Sequence, residues 1–377
     1  MRKSAVGLIV VGVAASLAMS ACSSSKKNTP TTPAGGATSA SSSAAGGAID
    51  GKGAKVGAIM PDTQSSNRWI TSDPEAIKAQ CQKDNLQCDV ENANNDAGQM
   101  ATIAQTMIQN GAKVLLIVNL DSASAAKIES DAKAKGVITI DYDRLTLGGS
   151  ASLYVSFDGV AVGTAQGNAL VKCPQVQGKS TVNYVDVNGS KTDNNATLFK
   201  NGYDAVLSKQ PGWKKLDDQW IDKWDNQQAG VTFESMLNAH KDLNAVMVAN
   251  DGMANSVITA LKKQSLNGKV AVSGQDATVD GLKHIMDGDQ CFTIYKPSKL
   301  EAIPAVDAAA QLATGGVPNT TATVTDTQTG KKVPAILATP IAIDKSNVAD
   351  PINDGYTPKA QTCTGAYAAK CTAAGVS

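Results

Sequence analysis

The chain uses thirty-one lysines but only three arginines. Two of these, Arg68 and Arg144, fall in polar clusters, Ser65-Ser66-Asn67-Arg68-Trp69 and Tyr142-Asp143-Arg144. A guanidinium offers five N–H donors in a rigid planar fork and orders several oxygen acceptors at once, which an ammonium point charge does not. Comparable clusters recur at Asp193-Asn194-Asn195, Asn250-Asp251, Gln275-Asp276 and Lys296. Aromatic residues make up only 4% of the chain, so Trp69 and Trp224, set among polar neighbours, stand out. Carboxylates accept, amides do both, and Arg and Lys donate. Indole faces cover apolar C–H surface. Together the set suits a small ring bearing several hydroxyls.

Each cluster also has a plainer explanation. Asp193 and Asn250 precede helical patterns, where Asp and Asn are favoured N-caps, and Asp276 before Thr278 is cap-like too. Arg68 is near enough in sequence to pair with Asp62 at the surface, and Lys296 before Pro297 suits a solvated loop. Trp220, at a strand end, reads as core. The recurrence of all these groups where strands should end favours a site. Other chemistries lack their signatures: there is no G-x-x-x-x-G-K, no G-x-G-x-x-G after a strand, no H-E-x-x-H and no G-x-S-x-G. A glycosidase needs a protonated and an ionised carboxyl across one bond. Asp143, Asp193 and Asp276, beside Arg144, Asn and Lys, would all stay ionised.

The elements that must hold these groups follow from periodicity. Short β-branched runs at 56–60, 88–90, 114–118 and 137–142 alternate with helix-period segments, among them one at 99–108 and one at 122–135. The rhythm restarts with helices near 160–171, 196–208, 227–240, 254–266 and 279–286. These separate strands near 182–185, 216–220, 245–248, 270–272 and 292–295. A late helix at 300–312 and an extended stretch at 333–343 follow. Such alternation implies right-handed βαβ units and parallel sheets covered on both faces. At 377 residues the chain exceeds one core's comfortable size, so two lobes are expected. Crossings between them fit near Phe157-Asp158, Tyr295-Lys296-Pro297 and Thr339-Pro340. Ligands of open α/β sheets bind beyond the carboxyl ends of the strands, where the polar clusters lie.

The N-terminus reads as a secretion signal over 1–21: a charged Arg2-Lys3, an apolar stretch from Ala5 to Ala18, and a small-residue cleavage site before Cys22. Cys22 in that setting resembles the acylated cysteine of a bacterial lipobox. Residues 22–50, rich in Ser, Ala, Gly, Thr and Pro, form a tether that cannot bury enough apolar surface to order itself. Six cysteines remain, an even number suited to an oxidising compartment. Cys81 with Cys88 and Cys363 with Cys371 flank short turns, which leaves Cys173 with Cys291 by elimination. Zinc is the rival use, but no C-x-x-C occurs and neither His240 nor His284 is near a cysteine pair, so no metal site is expected. Formal charge is zero, with no basic clustering, so no nucleic-acid partner is expected either.

In order along the chain, Met60-Pro61-Asp62 through Arg68-Trp69, Tyr142-Asp143-Arg144-Leu145, Val155-Ser156-Phe157-Asp158, Asp193-Asn194-Asn195-Ala196, Asp218 through Trp224, Asn250-Asp251, Ser273-Gly274-Gln275-Asp276-Ala277 and Tyr295-Lys296-Pro297 resemble the periplasmic sugar-binding proteins of ABC importers, in particular their D-xylose-binding branch. The resemblance implies an α/β protein of two doubly wound parallel-sheet lobes joined by three hinge crossovers, the type I periplasmic binding protein fold. The expected lobes are 51–157 plus 297–339 and 158–296 plus 340–377. It implies that Arg68, Arg144, Asn195, Asn250, Asp276 and Lys296 hydrogen-bond sugar hydroxyls. Asp143 and Asp193 would do likewise or orient the arginines, and Trp69 and Trp224 would sandwich the ring. The implied protein is a monomer with no cofactor and no catalysis. It is anchored outside the bacterial membrane through Cys22 and delivers a monosaccharide, D-xylose foremost, to an ABC permease. A sugar sensor for a membrane signalling partner and an extracellular carbohydrate-active enzyme are the rival readings. The six cysteines, the tether and the tail beyond Asp350 depart from the family pattern.

Overall fold

A computed structural model describes residues 49–377. The signal segment 1–21, the anchor Cys22 and nearly all of the tether lie outside the described residues.

The apolar runs become central strands. Strands β1 (Lys55–Met60), β2 (Gln87–Asn92), β3 (Val114–Ile117), β4 (Ile138–Tyr142) and β5 (Leu153–Phe157) join β11 (Ala322–Thr325) and β12 (Lys332–Ala338) in one sheet. Its order is β2-β1-β3-β4-β5-β12-β11, parallel except for the β11–β12 hairpin. All four residues of β3 are buried, as strands covered on both faces require. Helices α1 (Ser72–Lys83), α2 (Ala97–Gln109), α3 (Ser122–Ala134) and α9 (Lys299–Ala313) cover this sheet.

A second, four-stranded parallel sheet runs β7 (Trp213–Trp220), β6 (Val182–Asn188), β8 (Ala245–Val248), β9 (Ala271–Val272). It is accompanied by α4 (Gly159–Val171), α5 (Asn194–Leu207), α6 (Asn226–Ala239), α7 (Asp251–Lys263) and α8 (Val279–Asp287). Strands β10 (Thr293–Tyr295) and β13 (Ile341–Ile343) form an antiparallel pair beside α4. The chain therefore passes between the two layers three times: from β5 to α4, from β10 to α9, and from β12 to β13.

Acidic and amide residues start the helices. Asp96, Asp121, Asp158, Asp193, Asp225 and Asn250 each accept a backbone N–H from the first turn of the following helix. Helices α4 and α5 pack at very short range: a β-carbon on Gly163 would lie 1.9 Å from the Phe199 carbonyl oxygen. That approach sets α5, which carries two residues of the site described below.

Three features depart from the sequence reading. The expected stretch 333–343 is not continuous but two strands of two different sheets, divided at Thr339-Pro340, where the third crossing was expected. Strands β5 and β11 went unpredicted. The tail folds into three short helices, α10 (Asp350–Asn353), α11 (Lys359–Thr362) and α12 (Tyr367–Ala373), packed on α8 with Ala277, Tyr295 and Ile343. Disulfides join Cys81 to Cys88, Cys173 to Cys291 and Cys363 to Cys371, the pairing expected from spacing and elimination.

Candidate functional site

The carboxyl ends of strands from both sheets converge on one hollow. From the larger sheet, the segment after β1 contributes Ser65, Ser66 and Trp69, and the end of β4 contributes Asp143 and Arg144. From the smaller sheet, the β6–α5 connection and first turns of α5 contribute Asp193, Asn195 and Phe199, and the turn after β7 contributes Trp224. Asn250, Gln275, Asp276 and Lys296 follow β8, β9 and β10. Nine of the ten residues singled out from the sequence thus share one hollow. The tenth does not line it.

That tenth residue is Arg68, and the expectation that it faces a ligand hydroxyl is corrected by its partners. Its Nε and Nη2 donate to Asp73 at 2.9 and 2.6 Å, Nη2 also to Glu301 at 2.6 Å, and Nη1 to Asp143 at 2.8 Å. Four of its N–H bonds are committed to three buried carboxylates, and its guanidinium carbon lies 4.4 Å from the Trp69 ring centroid. Arg68 holds Trp69 and Asp143 in place from behind the cavity wall. The alternative pairing with Asp62 is not made; Asp62 accepts from the Ser65 amide and hydroxyl at 2.6 Å.

Arg144 remains free to work at the cavity. Its Nη1 donates to the Asn119 carbonyl at 3.0 Å and its Nε lies 3.0 Å from Asp193 Oδ2, but not aligned as a hydrogen bond. Asp193 is both helix cap and site residue: it accepts from the Asn195 amide at 2.9 Å and from the Trp224 indole N–H at 3.1 Å. Asn250 combines the same duties. Its oxygen caps α7 at 3.0 Å, while its amide nitrogen donates across the cleft to the Ser65 carbonyl at 2.9 Å. The cap explanation and the site explanation hold together. For α8 the cap is Thr278, which leaves the Asp276 carboxylate for the cavity.

Several contacts bridge the two layers here. Asn195 donates to the carbonyl and carboxylate of Asp143 at 2.9 and 3.1 Å, and Ser66 donates to Asp276 at 3.0 Å. Lys296 Nζ sits 3.3 Å from Asp276 Oδ1 and 5.5 Å from the Phe199 ring centroid. Burial pushes the Asp143 carboxyl up, but Arg68, Lys296 and Arg144 outweigh it and hold it below the ordinary aspartate value. Asp193 is raised, because its burial outweighs Arg144.

The backbone is strained at the site. Asp143 (φ 63°), Trp224 (φ 57°), Asp276 (φ 93°) and Ala277 (φ 47°) occupy the left-handed region that side chains disfavour. Such residues persist where surrounding structure over-determines them. The Trp224 indole ring has room because residue 189 is glycine: a β-carbon there would lie 2.2 Å from it. The ten residues singled out omit Phe199, and also Ser65, Ser66 and Gln275, although these three stand in the polar clusters themselves. Phe199 was reachable, since it stands four residues after Asn195 on the same face of α5. Among the described residues, one group of carboxylates has metal-ligand spacing, Asp186, Asp204 and Asp218, and none of them lines the cavity. Lys200 bridges all three at 3.2, 3.0 and 2.5 Å, filling the place of a cation.

Two layers of α/β structure, three passages between them and a polar cleft at the strand ends define a class of two-lobed binding proteins. The family model described as a periplasmic binding protein domain matches residues 56–316. The D-xylose-binding periplasmic protein of Escherichia coli (strain K12) is 35% identical over 315 residues, covering 82% of this chain and 92% of that protein. A multiple sugar-binding periplasmic receptor of Rhizobium radiobacter is 30% identical over 81% of this chain and 91% of its own length. An ABC transporter solute binding protein from Clostridium phytofermentans, crystallised with bound β-D-glucose, superposes with a TM-score of 0.72 at 26% identity, covering 82% of this chain and 99% of that one. The chain belongs to the periplasmic binding protein family, with the type I fold of two doubly wound parallel-sheet lobes joined by three crossovers.

Proposed function

We propose that this protein captures a monosaccharide, D-xylose foremost, in the cleft between its lobes and delivers it to an ABC permease. It acts as a monomer held outside the bacterial membrane by acylated Cys22. The lobes, 51–157 plus 297–339 and 158–296 plus 340–377, close over the sugar by bending at the three crossovers. The observation that carries this reading is the single hollow in which Trp69 and Trp224 meet Arg144, Asn195, Asn250, Asp276 and Lys296. The indoles cover ring C–H faces, and the polar groups match hydroxyls that both donate and accept. The names of the relatives support the same ligand class, and the D-xylose-binding relative is the more similar of the two reported above.

Several charge-assisted hydrogen bonds of roughly 1.5–3 kcal/mol each, less desolvation, are enough for the −8 kcal/mol or so of a micromolar complex. Of the cleft carboxyls, Asp193 is raised by burial whereas Asp143 is lowered. Asp143, held ionised by Arg68, Lys296 and Arg144, is unsuited to the general-acid half of glycoside hydrolysis. Calorimetric titration with D-xylose, L-arabinose, D-ribose, D-glucose and D-galactose, together with product analysis on xylosides, tests the proposal. Saturable one-to-one heat for D-xylose without turnover is expected. Hydrolysis of a xyloside, or silence toward the whole panel, would overturn it.

A further inference from the structure

The C-terminal segment reaches Ala277, the residue that follows Asp276 of the cleft. Thr357, between α10 and α11, is buried, and its hydroxyl donates to the Ala277 carbonyl at 2.7 Å. Its own amide is fixed by the Pro351 carbonyl at 2.9 Å. Ala277 is buried in the apolar cluster that the tail builds with Ile352, Val348, Cys371, Leu282 and Ile285. Tyr356 packs edge-on against Tyr295, one residue before the cleft lysine, with ring centroids 4.9 Å apart.

Ala277 is half of the strained pair Asp276–Ala277, both in left-handed backbone. That conformation aims the Asp276 carboxylate at Ser66 and Lys296 in the cleft. The pair is tied on one side by β10: Asp276 N–H donates to the Ile294 carbonyl at 2.7 Å, and Ala277 N–H donates to the Thr293 hydroxyl at 3.1 Å. On the other side the tie to the Ala277 carbonyl is Thr357. A strained conformation without its restraints relaxes to an ordinary one.

We infer that Thr357 is a positioning residue for Asp276, so that the C-terminal segment sets how long the cleft holds its sugar. This rests on the monosaccharide reading above. Thr357→Val keeps the shape and removes the hydroxyl, leaving a buried carbonyl unpartnered. Affinity for D-xylose should fall roughly tenfold, mainly through faster dissociation, as interface changes usually act. Thr357→Ser, which keeps the donor, should recover most of it. In a double-mutant cycle with Asp276→Asn, the valine substitution should then cost less than about twofold, because its route to the ligand is already cut.

Calorimetry and stopped-flow fluorescence on the full chain read all four variants beside the unaltered protein. Losses that multiply in the double mutant, or a T357V protein that melts earlier but releases xylose at the unaltered rate, would overturn the inference. Unaltered protein that binds no monosaccharide would overturn the function reading and this one together. Unaltered binding matched by T357V would overturn this one alone.

Discussion

Arg68 Nη1 stands 2.8 Å from Asp143 Oδ2, while the same guanidinium grips Asp73 at the start of α1 and Glu301 in the first turn of α9. One side chain therefore ties the helix after β1, the helix after the β10 crossover and the cavity edge of β4. Tyr142 and Ser298 complete the cluster by donating to Asp73, each at 2.6 Å. Removing the cation leaves the buried acidic side chains of Asp73, Asp143 and Glu301 together without a positive partner. Arg68→Met should lower the unfolding free energy by about 3–5 kcal/mol, the usual consequence of breaking a buried pair. Urea denaturation measures this. A loss below 1 kcal/mol or so would show that the cluster behaves as a solvated surface pair.

Glu301 gives the cluster a pH signature. Burial drives its carboxyl up to about 8, more than Arg68 draws it down, and Asp143 and Asp73 add to the rise. The folded protein thus holds a proton between the ordinary glutamate value of 4.5 and about 8 that the unfolded chain releases. The resulting stability is fully present at the acid end of that window and lost as pH climbs through it, at up to about 1.4 kcal/mol per pH unit. Glu301→Gln removes the titration. Unaltered protein should therefore lose stability relative to E301Q as pH rises from about 5 to 8, measured by denaturant unfolding at each pH. Parallel curves would contradict the assignment.

Trp224 depends on a neighbour with no side chain. With a β-carbon, Gly189 would overlap the indole at 2.2 Å. Gly189→Ala should push the ring out of position at a cost of about 1–3 kcal/mol, weakening monosaccharide affinity roughly tenfold. A calorimetric titration of G189A that matches the unaltered protein would remove Trp224 from the set of ligand contacts.

Much of this was readable beforehand because it is local. Periodicity set the βαβ alternation, and the rule that ligands meet strand carboxyl ends placed Asn250, Asp276 and Lys296. What stayed hidden is long-range. Arg68 was singled out correctly as unusual, but Glu301, which claims part of its fork, lies 233 residues away in sequence. No spacing announces that partner. Ser65 and Ser66 are small polar residues in a loop and resemble any other. The tail's contribution at Thr357 depends on a contact across 80 residues, again outside local pattern.

The three disulfides should differ in worth. Cys173–Cys291 spans 118 residues, whereas Cys81–Cys88 and Cys363–Cys371 span 7 and 8. Because cross-linking constrains the unfolded chain more when the loop is longer, replacing Cys173 and Cys291 by serine should lose about 2–5 kcal/mol. Each short pair should lose less. Guanidinium denaturation of the three double-serine variants ranks them, and equal losses would argue against the loop-entropy account.

The most direct test is a crystal structure of the protein grown with D-xylose. One pentose should lie between Trp69 and Trp224, within hydrogen-bond reach of Arg144, Asn195, Asn250, Asp276 and Lys296, with Arg68 still bound to its three carboxylates behind the wall. A pentose seated elsewhere, for instance in the groove lined by Lys172, Gln290 and Lys345, or none at saturating sugar, would contradict the account.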